Sequence, residues 1–323
     1  MMSGRRISVP GGRRYRTRLA FTTAAVSVLA TASLATENGR NPFPNGLNGT
    51  EVGSLPPPGV YLVNEFVAIR ADRFNDSDGD RLFPDFDLEV NAYAPRFLWN
   101  TGHKLLGGDA SVQLVIPFVD TKFRNPPPAP SIPPLPPFGR KHDFGVADPI
   151  VTPLIAWHGP KWHTVVGADI NIPVGQYDRD RLVNAGLNTF IVSPAVAATY
   201  YPSPGWELSA KATFDHYFRN AATDYSSGDA FLLDYGINHH MAAPGGQLFL
   251  GVGGYVFKQI EDDRLNGATF ADGFRGQAFG LGPTITYQHM SGPRVELKYQ
   301  QDFAVENRPE GYRAFIRVYM KLR

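Results

Sequence analysis

The stretch Tyr312-Arg313-Ala314-Phe315-Ile316-Arg317-Val318-Tyr319-Met320-Lys321-Leu322-Arg323 alternates without a break. Successive side chains of an extended strand point to opposite sides. One side therefore carries Tyr312, Ala314, Ile316, Val318, Met320 and Leu322, and the other Arg313, Phe315, Arg317, Tyr319, Lys321 and Arg323. A purely uncharged row backed by a strongly basic one describes a ribbon with oil on one side and water on the other.

Outward from this segment the same period of two recurs. Val295, Leu297 and Tyr299 oppose Arg294, Glu296, Lys298 and Gln300, and Trp206, Leu208, Ala210 and Ala212 oppose Glu207, Ser209, Lys211 and Thr213. Twelve such runs are predicted, near 60–71, 87–100, 109–121, 144–157, 162–173, 189–201, 206–218, 229–240, 246–258, 274–289, 293–303 and 312–323. The 33 Gly and 28 Pro residues suit many short turns, and no helical period is visible. The absence of cysteine excludes a disulfide scaffold, a thiolate metal site and a cysteine nucleophile.

The connections alternate too. Those at Thr101–Gly108, His158–Lys161, Pro202–Gly205, Met241–Gly245 and Ser291–Gly292 are short, whereas those at 72–86, 122–143, 174–188, 219–228, 259–273 and 304–311 are long. One trimmed and one elaborated sheet end is the asymmetry of outer-membrane barrels, with short periplasmic turns and long external loops. Trp99, Trp157, Trp162 and Trp206 all lie near short turns, where amphipathic rings collect at a membrane boundary. Trp99 has the wrong parity for its strand's apolar face, which predicts a bulge at Pro95 or an inward ring. The fold class expected is an all-β transmembrane antiparallel barrel of about 12 strands; a soluble β-sandwich is the alternative.

Residues 1–18 hold six arginines and no acid, Leu19 to Leu29 is mostly apolar, and small residues follow at Ala30 and Ala32 and at Ser33 and Ala35. These are the three parts of a secretory signal peptide, expected at 1–35, followed by a periplasmic segment at 36–58 and the barrel at 59–323. Cleavage would leave 25 basic against 30 acidic residues, which argues against nucleic acid as a partner. The expected setting is the bacterial outer membrane, reached through a Sec-type signal and the barrel-assembly machinery, with lipid and lipopolysaccharide around the protein.

A closed barrel turns its polar rows inward. The lumen-lining candidates are Arg294, Glu296, Lys298, Arg313, Phe315, Arg317, Tyr319, Lys321, Glu207 and Lys211. They predict either a narrow pore for small, partly apolar solutes or a closed structural lumen, as in an adhesive barrel. The proline-rich loop 125–138 is stiff and suits a gate or a spacer. Asp76, Asp78 and Asp80 resemble a fragment of a calcium loop without its distal glutamate. Glycines at 251–254 and 280–282 suggest bends in the wall. No catalytic motif is found; His216, Asn220 and Ser226 offer only the residue types of a barrel phospholipase, without specific spacing. No cofactor is expected.

Five short motifs occur in order. They are Leu55 to Gly59 with three prolines, Gly175-Gln176-Tyr177-Asp178 with Asn184, Gly186 and Asn188, Asp224 to Gly228, Gly253 to Tyr255 with Lys258 and Gln259, and Asn307-Arg308-Pro309 with Gly311. With these the chain resembles the outer-membrane family linked to the meta-pathway of phenol degradation. The resemblance implies an outer-membrane transporter or channel associated with catabolism of aromatic or other hydrophobic compounds, and supplies no catalytic residues.

Overall fold

The computed structural model describes Met1 and residues 41–82, 84–125 and 142–322. The expected leader at 1–35 and the proline-rich loop beyond Asn125 lie outside the described residues.

Twelve strands form the wall. They are β1 (Gly59–Phe74), β2 (Asp87–Leu105), β3 (Gly108–Val115 continued by Phe118–Asn125), β4 (His142–Val146 continued by Ile150–His158), β5 (Trp162–Asn171) and β6 (Ile191–Tyr200), then β7 (Trp206–Tyr217), β8 (Ala230–Ala243), β9 (Gly246–Gln259), β10 (Gln277–His289), β11 (Arg294–Glu306) and β12 (Pro309–Lys321). Each pairs antiparallel with its predecessor, and β1 pairs antiparallel with β12, so the sheet closes. Closure leaves no edge, as a sheet in hydrocarbon requires. The interruptions in β3 and β4 face each other, at Pro117 and Pro149, where proline has no N–H to give the ladder.

The distribution of side chains is inverted relative to a soluble protein. Glu65, Glu207, Glu296, Lys298, Gln300 and Asp302 are buried, while Phe97, Val196, Leu250, Ile285, Leu297 and Ile316 are exposed. This is the apolar-out, polar-in pattern of a transmembrane barrel. Trp99, Trp162 and Trp206 are exposed at the short-turn end, and Trp162 stacks on Tyr200 at 4.2 Å between centroids.

Three expectations change. Trp99 points outward in the same row as Phe97, with no bulge in the β1–β2 register, because the other row, Leu88, Val90, Ala92 and Ala94, is an apolar stripe that faces inward. The connection expected at 304–311 shrinks to Asn307 and Arg308, since beyond their mutual pairing at Gln301 and Tyr312 β11 stays paired with β10 to Glu306 and β12 with β1 from Pro309; Asn307 takes the left-handed conformation (φ 51) between them. The residues 41–58, expected in the periplasm, run inside the barrel. Eight strands suffice for side chains to fill a barrel interior, so twelve leave room for a segment of chain.

The long loops make a second small core. Phe86, Val183, Tyr225, Phe270 and Phe274 pack with Phe74 and Phe123. Short strands Tyr225–Ser226, Arg264–Leu265 and Ala268–Thr269 form a separate three-stranded sheet there.

Candidate functional site

The interior chemistry begins with cross-strand pairing. Glu65 on β1 lies opposite Arg317 on β12, and Arg317 opposite Glu296 on β11. Glu65 accepts from Arg96 at 3.1 and 3.0 Å and from Arg317 at 3.1 Å, and Arg317 reaches Glu296 at 3.4 Å. Arg294 follows Glu296 at 4.0 Å and closes on Glu51 of the inner segment. Arg96, Glu65, Arg317, Glu296, Arg294 and Glu51 thus form a belt of alternating sign. Each charge has a partner, which is the condition for keeping it out of water.

The inner segment is held by its backbone. The amides of Gly46 and Asn48 donate to Asp234 on β8 at 2.9 and 3.1 Å, and the Asn48 side-chain amide adds a third bond at 2.8 Å. Lys298 donates to the carbonyls of Gly46, Leu47 and Asn48 at 2.6, 3.1 and 2.5 Å. Farther along, the Glu51 amide donates to Glu207 at 2.6 Å and the Gly53 amide to Thr199 at 2.9 Å. An irregular strand within a wide barrel has no ladder partner, so these wall residues satisfy its polar groups instead. Gly236 on β8 makes the approach feasible: a Cβ there would lie 1.9 Å from the Gly49 carbonyl oxygen. In β9 and β10 the glycines serve neighbours as well, since a Cβ on Gly280 would lie 2.1 Å from the Tyr255 ring.

Among the described residues, one cavity adjoins the first half of this segment, 41–47, and another its second half, 48–57. The one nearer the long loops has a volume of about 170 Å³ and is lined mainly by apolar groups, among them Val67, Ile69, Val90, Val115, Val119 and Ile150. The one nearer the short turns, about 490 Å³, meets Glu51, Val52, Arg96, Asp169, Lys211 and Arg294. Lys211 is held by Asp169 at 2.9 Å.

The segment from 174 to 188 folds over the break in β4. Asp148 accepts from the amides of Gly175 at 2.8 Å, Leu187 at 2.7 Å and Asn188 at 3.3 Å. Asn184 braces the loop from inside, accepting from the Asp178 amide at 2.8 Å and donating to its carbonyl at 3.0 Å. A Cβ on Gly175 would meet the Ala147 carbonyl carbon at 2.6 Å, and one on Gly186 would meet Asp148 at 3.1 Å. Asn188 (φ 55) donates to Asn220, which donates to the Tyr177 hydroxyl at 3.3 Å. The Arg308 guanidinium is buried over the Phe257 ring at 4.2 Å and donates to Asn41 at 3.2 Å, while Pro309 lines the apolar cavity.

The lumen candidates Glu296, Lys298, Arg313, Phe315, Arg317 and Glu207 are buried within the barrel, and Arg294, Lys211, Tyr319 and Lys321 line the larger cavity. Arg313 pairs with Asp302 at 2.8 and 3.0 Å. Asp76 caps its own turn by accepting from the amides of Asp78 and Asp80 at 3.0 and 2.8 Å. His216 contacts Asp229 at 2.9 Å, and Ser226 belongs to the small loop sheet. Among the described residues the ligand-capable cluster is Glu51, Glu207 and His240, whose atoms lie within 4.8 Å. Glu207 already contacts His240 at 2.7 Å, and Glu51 already pairs with Arg294. The residues that sequence reasoning missed are Glu65, Arg96, Asp148, Asp169 and Asp234. Each is a single charge inside or beside an apolar run, and that isolation was the available signal.

Comparison with known proteins follows the same lines. An outer membrane channel from Pseudomonas putida F1 is 18% identical, with a TM-score of 0.72 over 84% of this chain and 98% of that one. The β domain of the Bordetella autotransporter BrkA is 12% identical, with a TM-score of 0.50 over 82% and 100%. Both likenesses concern the barrel fold. No curated protein matches the sequence. A family model described as "Putative MetA-pathway of phenol degradation" matches residues 71–318, a span that holds β2 to β11 whole and the 174–188 loop, and the chain belongs to this family.

Proposed function

We propose that this protein is a monomeric outer-membrane channel for passive uptake of small hydrophobic or aromatic compounds, closed at rest by residues 41–58. The observation that carries the reading is the apolar cavity inside an otherwise polar lumen. A pore for hydrophilic solutes has no use for the stripe Leu88, Val90, Ala92 and Ala94 on its inner face; a route for aromatic or aliphatic molecules does. The family description, with its reference to phenol degradation, points to the same solute class. A leader at 1–35 would deliver the chain to the periplasm, the barrel-assembly machinery would insert it, and lipid and lipopolysaccharide would surround it.

The structural or adhesive reading draws on one observation of its own, the segment that fills the lumen. Liposome uptake separates the two. Protein carrying a deletion of 41–55 should raise phenol flux well above the intact protein, and the intact protein should exceed protein-free liposomes. Equal flux in all three would leave a closed barrel and overturn the channel.

A further inference from the structure

The Phe43 ring sits at the junction of the two cavities. It lines the apolar one, while the Arg96 guanidinium and the Lys211 ammonium, which line the other, stand 5.3 and 5.5 Å from its centroid. Two cations from β2 and β7, strands that are not neighbours, therefore converge on one aromatic ring provided by the inner segment. Both retain a carboxylate: Arg96 is bonded to Glu65 and Lys211 to Asp169. The assembly around the ring is thus close to electrically neutral. It suits a π-face without net charge better than an anionic ring, whose charge would find both cations already neutralised.

The attachment of Phe43 differs from that of the chain after it. From Gly46 onward the backbone is gripped by Asp234, Lys298, Glu207 and Thr199. From 41 to 45 the bonds are of another kind: Asn41 donates to Asn45 at 2.5 Å and Arg308 to Asn41 at 3.2 Å, both through side chains, and the Pro44 carbonyl accepts from the Leu47 amide at 3.3 Å within the segment itself. Gly46, at φ +80, marks the change from one regime to the other.

We propose that the Phe43 ring occupies a binding site for a neutral monocyclic aromatic solute and acts as its tethered competitor. The inference rests on the channel reading and names the solute class and the place where the solute pauses. The adjoining 170 Å³ cavity is the right size for a ring to wait in, since an apolar protein cavity of about 150 Å³ holds benzene. When 41–45 swings away from Gly46, a solute ring takes the position between Arg96 and Lys211, and the apolar cavity becomes continuous with the larger one. Selection then follows from the ring's quadrupole, which a saturated ring of similar size lacks.

The test is equilibrium binding of phenol and of cyclohexanol to the full-length protein in lipid nanodiscs, with Phe43→Ala and Phe43→Trp beside the wild type. Removing the competitor should tighten phenol binding about tenfold in Phe43→Ala, and the larger indole should weaken it in Phe43→Trp. In Phe43→Ala, phenol should bind at least about fivefold more tightly than cyclohexanol. Unchanged phenol affinity in both variants, or equal affinity for the two alcohols, overturns the proposal. If the alanine variant fails to assemble, the tryptophan variant reads the same competition in the opposite direction. Binding in nanodiscs does not depend on flux: phenol held at this site without liposome uptake would sink the channel reading alone, and uptake without Phe43-dependent binding would sink this site alone.

Discussion

Glu51 reaches from the inner segment to Arg294 on β11 and to the Tyr201 hydroxyl in the β6–β7 turn. Burial pushes its carboxyl up, but Arg294, the Tyr201 hydroxyl and His240 outweigh burial and hold it below the ordinary glutamate value of 4.5. A carboxylate with a lowered folded pKa stabilises the closed arrangement above its unfolded value and stops doing so as pH falls through the lower, folded one. Channel conductance in planar bilayers should therefore be flat above pH 4.5 and rise as the solution is acidified below it. Glu51→Gln should be leaky at neutral pH and lose the acid rise; an unchanged acid rise in that variant would show that another group opens the lumen. At this scale the sequence was only half legible. Arg294, Glu296, Lys298, Arg313 and Arg317 could be placed inward because β11 and β12 have one charged row each. Their partners could not be: Glu65 interrupts an apolar run, and in β2 both rows look apolar, so parity carried no sign. Glu51 itself precedes the first strand, where no period exists to orient it.

Among the elements, the 174–188 loop takes most of its backbone anchoring from one side chain outside it. Asp148 takes three of its amides where β4 breaks. Charge-assisted bonds of this kind are each worth roughly 1.5–3 kcal/mol. Asp148→Ala should free the loop while leaving the wall paired. Trypsin cleavage at Arg179 or Arg181 should then accelerate by about thirtyfold, corresponding to a loss of about 2 kcal/mol of local protection. Cleavage no faster than in wild type would mean that the loop is held without Asp148, by Asn184 and by Asp143 on β4, which accepts from Arg181 and from the Ala185 amide, both at 3.2 Å. All twelve strands were readable from alternation, since a lipid-facing row cannot tolerate a change of phase. The element ends were less so. The 304–311 stretch reads as a loop because Asn307 and Pro309 are turn formers, yet β11 stays paired with β10 to Glu306 and β12 with β1 from Pro309. The break in β4 was invisible because Asp148-Pro149 within an alternating run looks like an ordinary fluctuation.

For the molecule as a whole, the decisive contact is the seam between first and last strands. Arg317 of β12 lies between Glu65 of β1 and Glu296 of β11, so one guanidinium ties the two ends of the sheet together. Removing it leaves the buried Glu65 with Arg96 alone and the buried Glu296 with Arg294 at 4.0 Å, a loss that approaches the roughly 3–5 kcal/mol of a broken buried pair. Arg317→Met should lower the temperature at which the folded form converts to the unfolded form in a gel-shift assay, far more than Ile316→Ala on the lipid side of the same strand. Equal effects would place the strength of the seam in its ladder instead. Barrel, strand number and family were legible because each is repeated along the chain. The filled lumen was not, because it depends on a single unrepeated segment.

That seam also dictates an order of events. Residues 41–58 are joined directly to β1 and become encircled once β12 docks against it. Either they lie in the cleft of an unclosed sheet before the final zipping, or they must thread a finished cylinder afterwards. The Asp234 and Lys298 grips, both on strands synthesised late, favour the former: the nascent wall can wrap around its own leader strand-end like a mould around a core pin. Maturation of the barrel and sealing of its bore are then one and the same step.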